Sequence, residues 1–193
     1  MTTPNTWTDT ANIKVATYQH KINLLPNGNV LVSNGVTNNG GVQSILNKYQ
    51  IYNYTTGLWE DDKTMPGKIY HTATSLANGN VLIAGGSSAF NSNDTTVLNT
   101  CFIYDWVNDS WNSITVPNLT TARFNHSAVL LSNGKVLVSG GSTGSTTYDS
   151  CEIYNPETNT WSQVRPMNLA RNSHQSILLP NNKVLVACVK TFL

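Results

Sequence analysis

Residues 123–161 read RFNHSAVLLSNGKVLVSGGSTGSTTYDSCEIYNPETNTW, and the rest of the chain repeats this stretch more loosely. His126 marks the phase of the repeat, because a histidine recurs at His20, His71 and His174. A Val-Leu pair follows ten residues after each of these histidines. The steps between successive histidines are 51, 55 and 48 residues, so the chain is built from similar units of roughly 50 residues.

Each unit contains a turn signal seven residues after its histidine, between two apolar runs. The signal reads Asn27-Gly28, Asn78-Gly79, Asn133-Gly134 and, in the last unit, Asn181-Asn182. Asn-Gly in this setting is a strong sign of a β-hairpin, and it predicts a type I′ turn with positive φ at both central residues.

The second half of each unit carries two further repeated features. The apolar strand after the turn ends in Asn34-Gly35, Gly85-Gly86 or Gly140-Gly141. A tyrosine and a tryptophan then stand seven residues apart, as Tyr52 and Trp59, Tyr104 and Trp111, and Tyr154 and Trp161. Each unit therefore predicts four short strands, and a repeat of about 50 residues with four strands is typical of a propeller blade.

These repeated residues carry a family resemblance. The segment from His to Gly-Gly, the Glu-Ile-Tyr-Asn-Pro of residues 152–156 and the Tyr/Trp pair resemble kelch repeats. More closely, they resemble the central propeller of galactose-oxidase-like proteins and their kelch relatives. The resemblance implies an all-β, kelch-type β-propeller in a single domain over residues 1–193. Complete four-stranded blades are predicted at about 17–59, 68–111 and 123–161, with an orphan strand at 5–9 and a partial blade at 171–193.

Composition limits the possible partners. Only 11% of the residues are charged and the net charge is +1, so the chain lacks the basic field that binds a phosphate backbone, and no nucleic-acid partner is predicted. A surface rich in Asn, Ser and Thr favours a protein or carbohydrate ligand instead. Met1–Pro4 show no secretory signal, and no apolar run is long enough to span a bilayer, so the sequence leaves the compartment undefined.

The four histidines allow a metal-binding and a structural interpretation. They occupy one repeat position, whereas a metal site normally gathers unlike residues from unlike positions. The simpler prediction is that each histidine hydrogen-bonds backbone or the neighbouring blade, with no metal and no cofactor. Cys101 and Cys151 also share one repeat position and are predicted to be buried and unpaired, because neighbouring blades lie too far apart for a disulfide.

The galactose-oxidase resemblance implies a rival function. Residues 123–127 and 171–174 resemble the stretch in which copper-radical oxidases place a copper-binding histidine. That chemistry also needs a cysteine-linked tyrosine radical site, and nothing in the chain matches one. The favoured hypothesis is therefore a non-catalytic kelch binding module, with a fragment of a copper-radical oxidase as the alternative.

A candidate binding surface follows from the strand order. If strands alternate in direction, the Asn-Gly turns and the Tyr-to-Trp turns share one face, called here the turn face. The loops from second to third strand and from fourth to first strand share the opposite face, the loop face. This face carries the loops of variable length and the only clustered cations, which is typical of a binding surface. Its predicted ligand contacts are Lys68, Phe90, Asn91, Asp94, Arg123, Tyr148, Asp149 and Arg171.

The alternative for the basic residues of this face is structural, with arginine bonded to carbonyl groups at the blade edge. A last expectation concerns the ends. Three full units with partial flanking strands predict an open arc, as in a truncated product or one part of a longer gene. Uncovered blade faces favour association, so the chain is expected to self-associate unless a partner completes the ring.

Overall fold

The computed structural model describes residues 8–90, 96–111 and 115–187 of the 193-residue chain. Within these ranges the chain forms sixteen β-strands and no helix, so the all-β prediction is confirmed. The strands are β1 (Lys21–Leu24), β2 (Val30–Ser33), β3 (Val36–Asn39), β4 (Val42–Ile45), β5 (Lys48–Asn53), β6 (Leu58–Trp59), β7 (Lys63–Thr64), β8 (Thr72–Ser75), β9 (Val81–Ala84), β10 (Cys101–Tyr104), β11 (Ser127–Leu130), β12 (Val136–Ser139), β13 (Cys151–Asn155), β14 (Thr160–Val164), β15 (Gln175–Leu178) and β16 (Val184–Ala187).

The strands form successive antiparallel sheets, one for each repeat. The first sheet has the order β1-β2-β5-β6, with β7 also paired to β5, and the third has the order β11-β12-β13-β14. The second sheet is β8-β9-β10, and a single bridge between Asp105 and Ser110 lies where its fourth strand is predicted. A last hairpin, β15-β16, pairs only with itself in the described ranges. The predicted orphan strand at 5–9 falls mostly on residues outside those ranges, as do Cys188 and the residues that follow it.

The Asn-Gly turns differ from the prediction. Only the glycines adopt positive φ (86° at Gly28 and Gly79, 77° at Gly134), so the expected type I′ turn is wrong. Gly28 N–H bonds to the Leu25 carbonyl and Leu25 N–H bonds to the Asn29 carbonyl, the pattern of a three-residue hairpin loop with a glycine bulge. Each asparagine acts instead through its side chain, which accepts the N–H two residues further on.

The core lies between consecutive sheets. The inner strands β1, β8, β11 and β15 neighbour one another in this order, which places them around a common axis. Between the first two sheets the buried apolar cluster includes Leu31, Val81, Ile83 and Tyr104. Between the second and third it includes Leu82, Cys101, Ile103 and Val136. β9, the second strand of the second repeat, thus packs on both of its faces, and Cys101 and Cys151 are buried and unpaired as predicted.

The Gly-Gly pairs are explained by this packing. A Cβ on Gly85 would lie 2.5 Å from the carbonyl oxygen of Arg123 and 2.8 Å from His126 Cε1, in the next repeat. A Cβ on Gly140 would meet Arg171 and His174 in the same way, at 2.3 and 2.8 Å. Glycine therefore fits the close crossing between the second strand and the next repeat at Gly85 and Gly140, whereas Asn34 occupies the same position in the first repeat.

Each Tyr/Trp pair packs within its own sheet. The ring centroids lie 5.3 Å apart for Tyr52–Trp59, 5.0 Å for Tyr104–Trp111 and 5.1 Å for Tyr154–Trp161. The tyrosine hydroxyl also holds the adjoining turn, since Tyr104 Oη donates to Asp109 Oδ1 at 2.7 Å and Tyr154 Oη to Asn159 Oδ1 at 2.9 Å. Asp109 and Asn159 have positive φ, so these bonds stabilise an uncommon backbone conformation.

Both outer faces of the sheet series are uncovered. Ile22 and Leu24 are 65% and 70% exposed on β1, although the residues at the same positions of later repeats pack against a preceding sheet. Ile177 and Leu185 are 60% and 51% exposed at the other end. Within the described residues the series of sheets does not close into a ring.

Candidate functional site

On the loop face, the residue before each repeat histidine has an uncommon backbone conformation. Gln19, Tyr70, Asn125 and Ser173 each precede the repeat histidine, and each has a φ between 52° and 57°. Left-handed backbone is uncommon for residues other than glycine and is concentrated at functional positions. Asn125 N–H donates to the Tyr70 carbonyl at 3.0 Å, and Ser173 N–H donates to the Asn125 carbonyl at 2.7 Å. Backbone hydrogen bonds therefore link neighbouring repeats around the axis.

These four residues help to line a cavity of about 250 Å³ at the axis. The cavity lies between the starts of the four inner strands, and its lining contains polar and basic groups but no carboxylate. It is lined by Gln19, Lys21, Tyr70, His71, Asn125, His126, Ser173, His174 and Gln175. The sequence interpretation did not single out the residue before each histidine, although its fixed position in the repeat was the available signal.

The repeat histidines do not all behave alike. His126 Nε2 lies 2.9 Å from Thr72 Oγ1, and His174 Nε2 lies 3.0 Å from Ser139 Oγ, both in the preceding repeat. Burial lowers the pKa of His126 to about 3 and that of His174 to about 4, so both rings are neutral at pH 7.

The other two histidines depart from this pattern. His20 is exposed. His71 is buried, and its ring contacts the Lys68 backbone instead of a side chain of the preceding repeat.

Two of the predicted ligand contacts are buried and cannot touch a ligand. Arg123 is 0% exposed: its guanidinium donates to Glu152 Oε1 at 2.9 Å and to the carbonyls of Gly140 and Ser150. Lys68 is 1% exposed and donates to Thr100, while burial lowers the pKa of its amine to about 8. The structure corrects the binding assignment of both residues and agrees with the alternative, in which cations satisfy carbonyl groups at the blade edge.

The remaining predicted contacts are distributed over the loop face. Phe90, Tyr148 and Arg171 are half-buried and Asp149 is exposed, whereas Asn91 and Asp94 lie outside the described residues. The Tyr148 ring packs against the Arg123 guanidinium, whose Cζ lies 5.4 Å from the ring centroid.

Two further features of this face were missed from sequence. The rings of Tyr70 and Phe124 pack at a tilt of 42° with their centroids 5.9 Å apart, and both residues are half-buried. The long loop after Gly35 contains the hairpin β3-β4, whose tip exposes Val42 to 71%. Alternation of Val, Thr, Asn and Gln around Gly40-Gly41 was the available sign of that hairpin.

Metal ligands do not gather in the part of the chain that the structure describes: no group of three or more His, Cys, Asp or Glu residues there could hold an ion. The described residues also contain no helix long and apolar enough to cross a membrane.

Comparison with known proteins places this geometry in a family. Residues 2–188 match the model of the KLHDC2/KLHL20/DRC7 Kelch-repeats domain. Among solved structures, YjhT superposes with a TM-score of 0.73 over 89% of this chain and 59% of the YjhT chain, at 15% identity. That likeness shows the propeller fold and agrees with the kelch-type propeller predicted from sequence.

Curated relatives match over shorter segments. Ras guanine nucleotide exchange factor F of Dictyostelium discoideum is 38% identical over 88 residues, which cover 45% of this chain and 7% of that protein. Human Kelch-like protein 33 is 32% identical over 96 residues, 50% of this chain and 17% of that protein. Galactose oxidase of Gibberella zeae is 31% identical over 88 residues, 45% of this chain and 11% of that protein.

The match thus spans less than a third of each of these relatives. The family model, in contrast, covers nearly the whole chain. Together with the successive antiparallel sheets and the three histidines that line the axial cavity, it shows that the chain belongs to the KLHDC2/KLHL20/DRC7 Kelch-repeats domain family.

Proposed function

We propose that this chain is a non-catalytic binding module that holds a protein partner on its loop face. Membership of a kelch-repeat family supports a scaffold role at the coarse level. The assignment of the face rests on the side chains that remain accessible there after Lys68 and Arg123 are removed from the candidate surface.

The observation that carries the proposal is the aromatic pair Tyr70–Phe124, whose Tyr70 lines the axial cavity. Aromatic residues and arginine are the side chains that most often anchor protein interfaces. Tyr70 is also held in a left-handed backbone conformation (φ 57°), which fixes where its side chain leaves the chain. Two anchors that are already ordered lose little conformational entropy on binding.

Tyr148 and Arg171 extend this surface on the third and fourth repeats. The buried Arg123 guanidinium lies under the Tyr148 ring, so Tyr148 is supported by the blade although it faces the loops. Arg171 is half-buried, and the guanidinium bond found among the described residues is a long one, 3.4 Å from Nε to the Leu169 carbonyl. Its guanidinium thus remains available for a carboxylate of a partner.

The test is capture of partners from native extract on the immobilised chain, quantified by mass spectrometry. Tyr70→Ala with Phe124→Ala, and separately Arg171→Ala, should reduce the captured partner by at least about tenfold, as expected for interface anchors. Lys135→Ala on the turn face is the matched control and should capture normally. Loss of capture with Lys135→Ala together with normal capture by the loop-face variants would contradict the choice of the loop face. Binding to glycans alone would mean that the partner is a carbohydrate and not a protein.

The galactose-oxidase alternative is tested separately by metal analysis. The proposed module should take up no stoichiometric copper when the chain is incubated with Cu²⁺ and dialysed. Tight uptake of one copper per chain would contradict the non-catalytic proposal and favour the oxidase.

A further inference from the structure

The repeat breaks its own pattern at Lys21. This residue follows the repeat histidine, and the same position holds the neutral Thr72, Ser127 and Gln175 in the later repeats. Thr72 uses its hydroxyl to bond His126 of the next repeat, whereas His174 bonds Ser139 and not Ser127. In the first repeat a long cation replaces that hydroxyl.

Two polar side chains at the joint between the first two sheets lack a side-chain partner within the described residues. His71 is 1% exposed and its ring contacts the Lys68 backbone, and Ser33 Oγ has no hydrogen-bond partner there. A buried polar atom without a partner destabilises the fold. Natural chains tolerate such local conflicts mainly at functional positions.

Lys21 and His71 both line the axial cavity of about 250 Å³. Lys21 also lines a second cavity of about 160 Å³ beside Thr72, Ser127 and His174. Neither lining contains an aspartate or a glutamate, and Lys21 forms no ion pair in the described ranges. Burial lowers the pKa of the Lys21 amine. Burial also lowers the pKa of His71, and the positive charge of Lys21 contributes to that shift through electrostatic repulsion.

We propose that the axial cavity binds a small oxyanion, with the Lys21 ammonium as the charged group and hydrogen-bond donor. An ammonium supplies three N–H donors. Charge-assisted hydrogen bonds of this kind are the stronger ones in proteins. The site does not depend on the partner proposed for the loop face, because it is defined by side chains of the inner strands and the axial cavity.

The experiment is a calorimetric titration of the chain with inorganic phosphate, and separately with acetate, at an ionic strength held constant with sodium chloride. Wild-type chain should bind at least one of the two oxyanions. Binding of phosphate alone points to a phosphate-type ligand, and binding of acetate alone points to a carboxylate. Failure of both to bind overturns the proposal.

The variants are chosen from the chain's own repeats. Lys21→Thr reproduces Thr72 and should weaken binding at least about tenfold while the fold is kept, because the new hydroxyl can bond His71. Lys21→Gln reproduces Gln175 and serves if the first variant does not fold. Lys135→Thr on the turn face removes the same charge and should bind like wild type. Unchanged binding in the folded Lys21 variant, or equal loss in Lys135→Thr, overturns the proposal.

Discussion

Arg123 and Glu152 show how one repeat position changes its partner from blade to blade. Glu152 is 0% exposed and accepts the Arg123 guanidinium as well as the backbone N–H groups of Thr120 and Thr121. In the second repeat, Lys68 replaces the arginine and its Nζ lies 4.6 Å from the ring centroid of Phe102, at the position of Glu152. The buried cation is therefore matched by a carboxylate in the third repeat and by an aromatic ring in the second.

Glu152→Ala should lower the free energy of unfolding by about 3–5 kcal/mol, because it leaves the Arg123 charge buried without its carboxylate. Urea denaturation measures the change, and Glu157→Ala at an exposed turn position is the control, with an expected effect of less than about 0.5 kcal/mol. Replacing both Arg123 and Glu152 with methionine should destabilise less than Glu152→Ala alone. Equal destabilisation by Glu152→Ala and Glu157→Ala would contradict the view that Glu152 stabilises the fold by pairing with the buried Arg123.

The buried histidines make stability depend on pH. The folded-state pKa of His126 is about 3, below the unfolded value of about 6.5, so the unfolded chain binds the proton more readily. The stability contributed by the neutral ring is complete above about pH 6.5 and is lost as pH falls toward 3. At pH 5 the loss from His126 should be about 2 kcal/mol.

Urea unfolding at pH 5 and pH 7.5 tests this direction. His126→Gln should reduce the difference in unfolding free energy between the two pH values, since glutamine does not titrate and can still bond Thr72. His20→Gln at the exposed member of the repeat is the control and should leave the difference unchanged. Stability that is the same at both pH values in the wild-type chain would contradict the prediction.

At the scale of elements, the joint between blades depends on the second strand ending in glycine. Gly140 has a φ of 61°, and the next repeat passes so close that a Cβ would lie 2.3 Å from a backbone oxygen. Gly134, in the hairpin turn of the same sheet, has a similar φ of 77° but no atom within 4 Å of a built Cβ. Both positions have a left-handed backbone, but only Gly140 lies in close contact with the next repeat.

Gly140→Ala should therefore destabilise more than Gly134→Ala. Both variants incur the cost of a left-handed alanine, about 1 kcal/mol, and only Gly140→Ala adds the overpacking cost of about 1–3 kcal/mol. Thermal and urea unfolding of the two variants measure the difference. Equal destabilisation would show that backbone conformation alone explains the glycine and that the crossing of the blades does not.

At the scale of the whole molecule, the described sheets form an open series with an uncovered apolar face at each end. Ile22 and Leu24 are exposed on the first sheet, and Ile177 and Leu185 on the last hairpin. Inside the series, the corresponding faces bury residues of the neighbouring blade. Exposed apolar faces and open strand edges of this kind favour association.

The 193-residue chain should accordingly self-associate in a concentration-dependent way, measured by sedimentation velocity and light scattering. Ile177→Lys combined with Leu185→Lys should shift the distribution toward monomer, because two charges then lie on the uncovered face. Val107→Lys, at a site that is 71% exposed outside these faces, is the control and should change nothing. A compact wild-type monomer at all concentrations that binds no hydrophobic dye would contradict the prediction.

Repetition is what made the fold predictable from sequence. The spacing of His126, Asn133-Gly134, Gly140-Gly141 and the Tyr154/Trp161 pair recurs through the chain, and each feature has a local physical cause, so four strands per unit and their order could be inferred. The burial of Cys101 and Cys151 followed from the same register. Local periodicity and turn chemistry act over a few residues, and a sequence displays them directly.

Only the tertiary structure decided which side chains remain accessible. Arg123 and Arg171 look alike in sequence, yet the Arg123 guanidinium is buried beside Glu152 (0% exposed), whereas Arg171 is half-buried and its guanidinium bonds the nearby Leu169 carbonyl. Likewise, Lys21 and His71 lie 50 residues apart and share a cavity only because inner strands of successive sheets meet at the axis. Exposure, ion pairing and cavities depend on contacts between distant repeats, and the spacing of residues within one repeat does not contain that information.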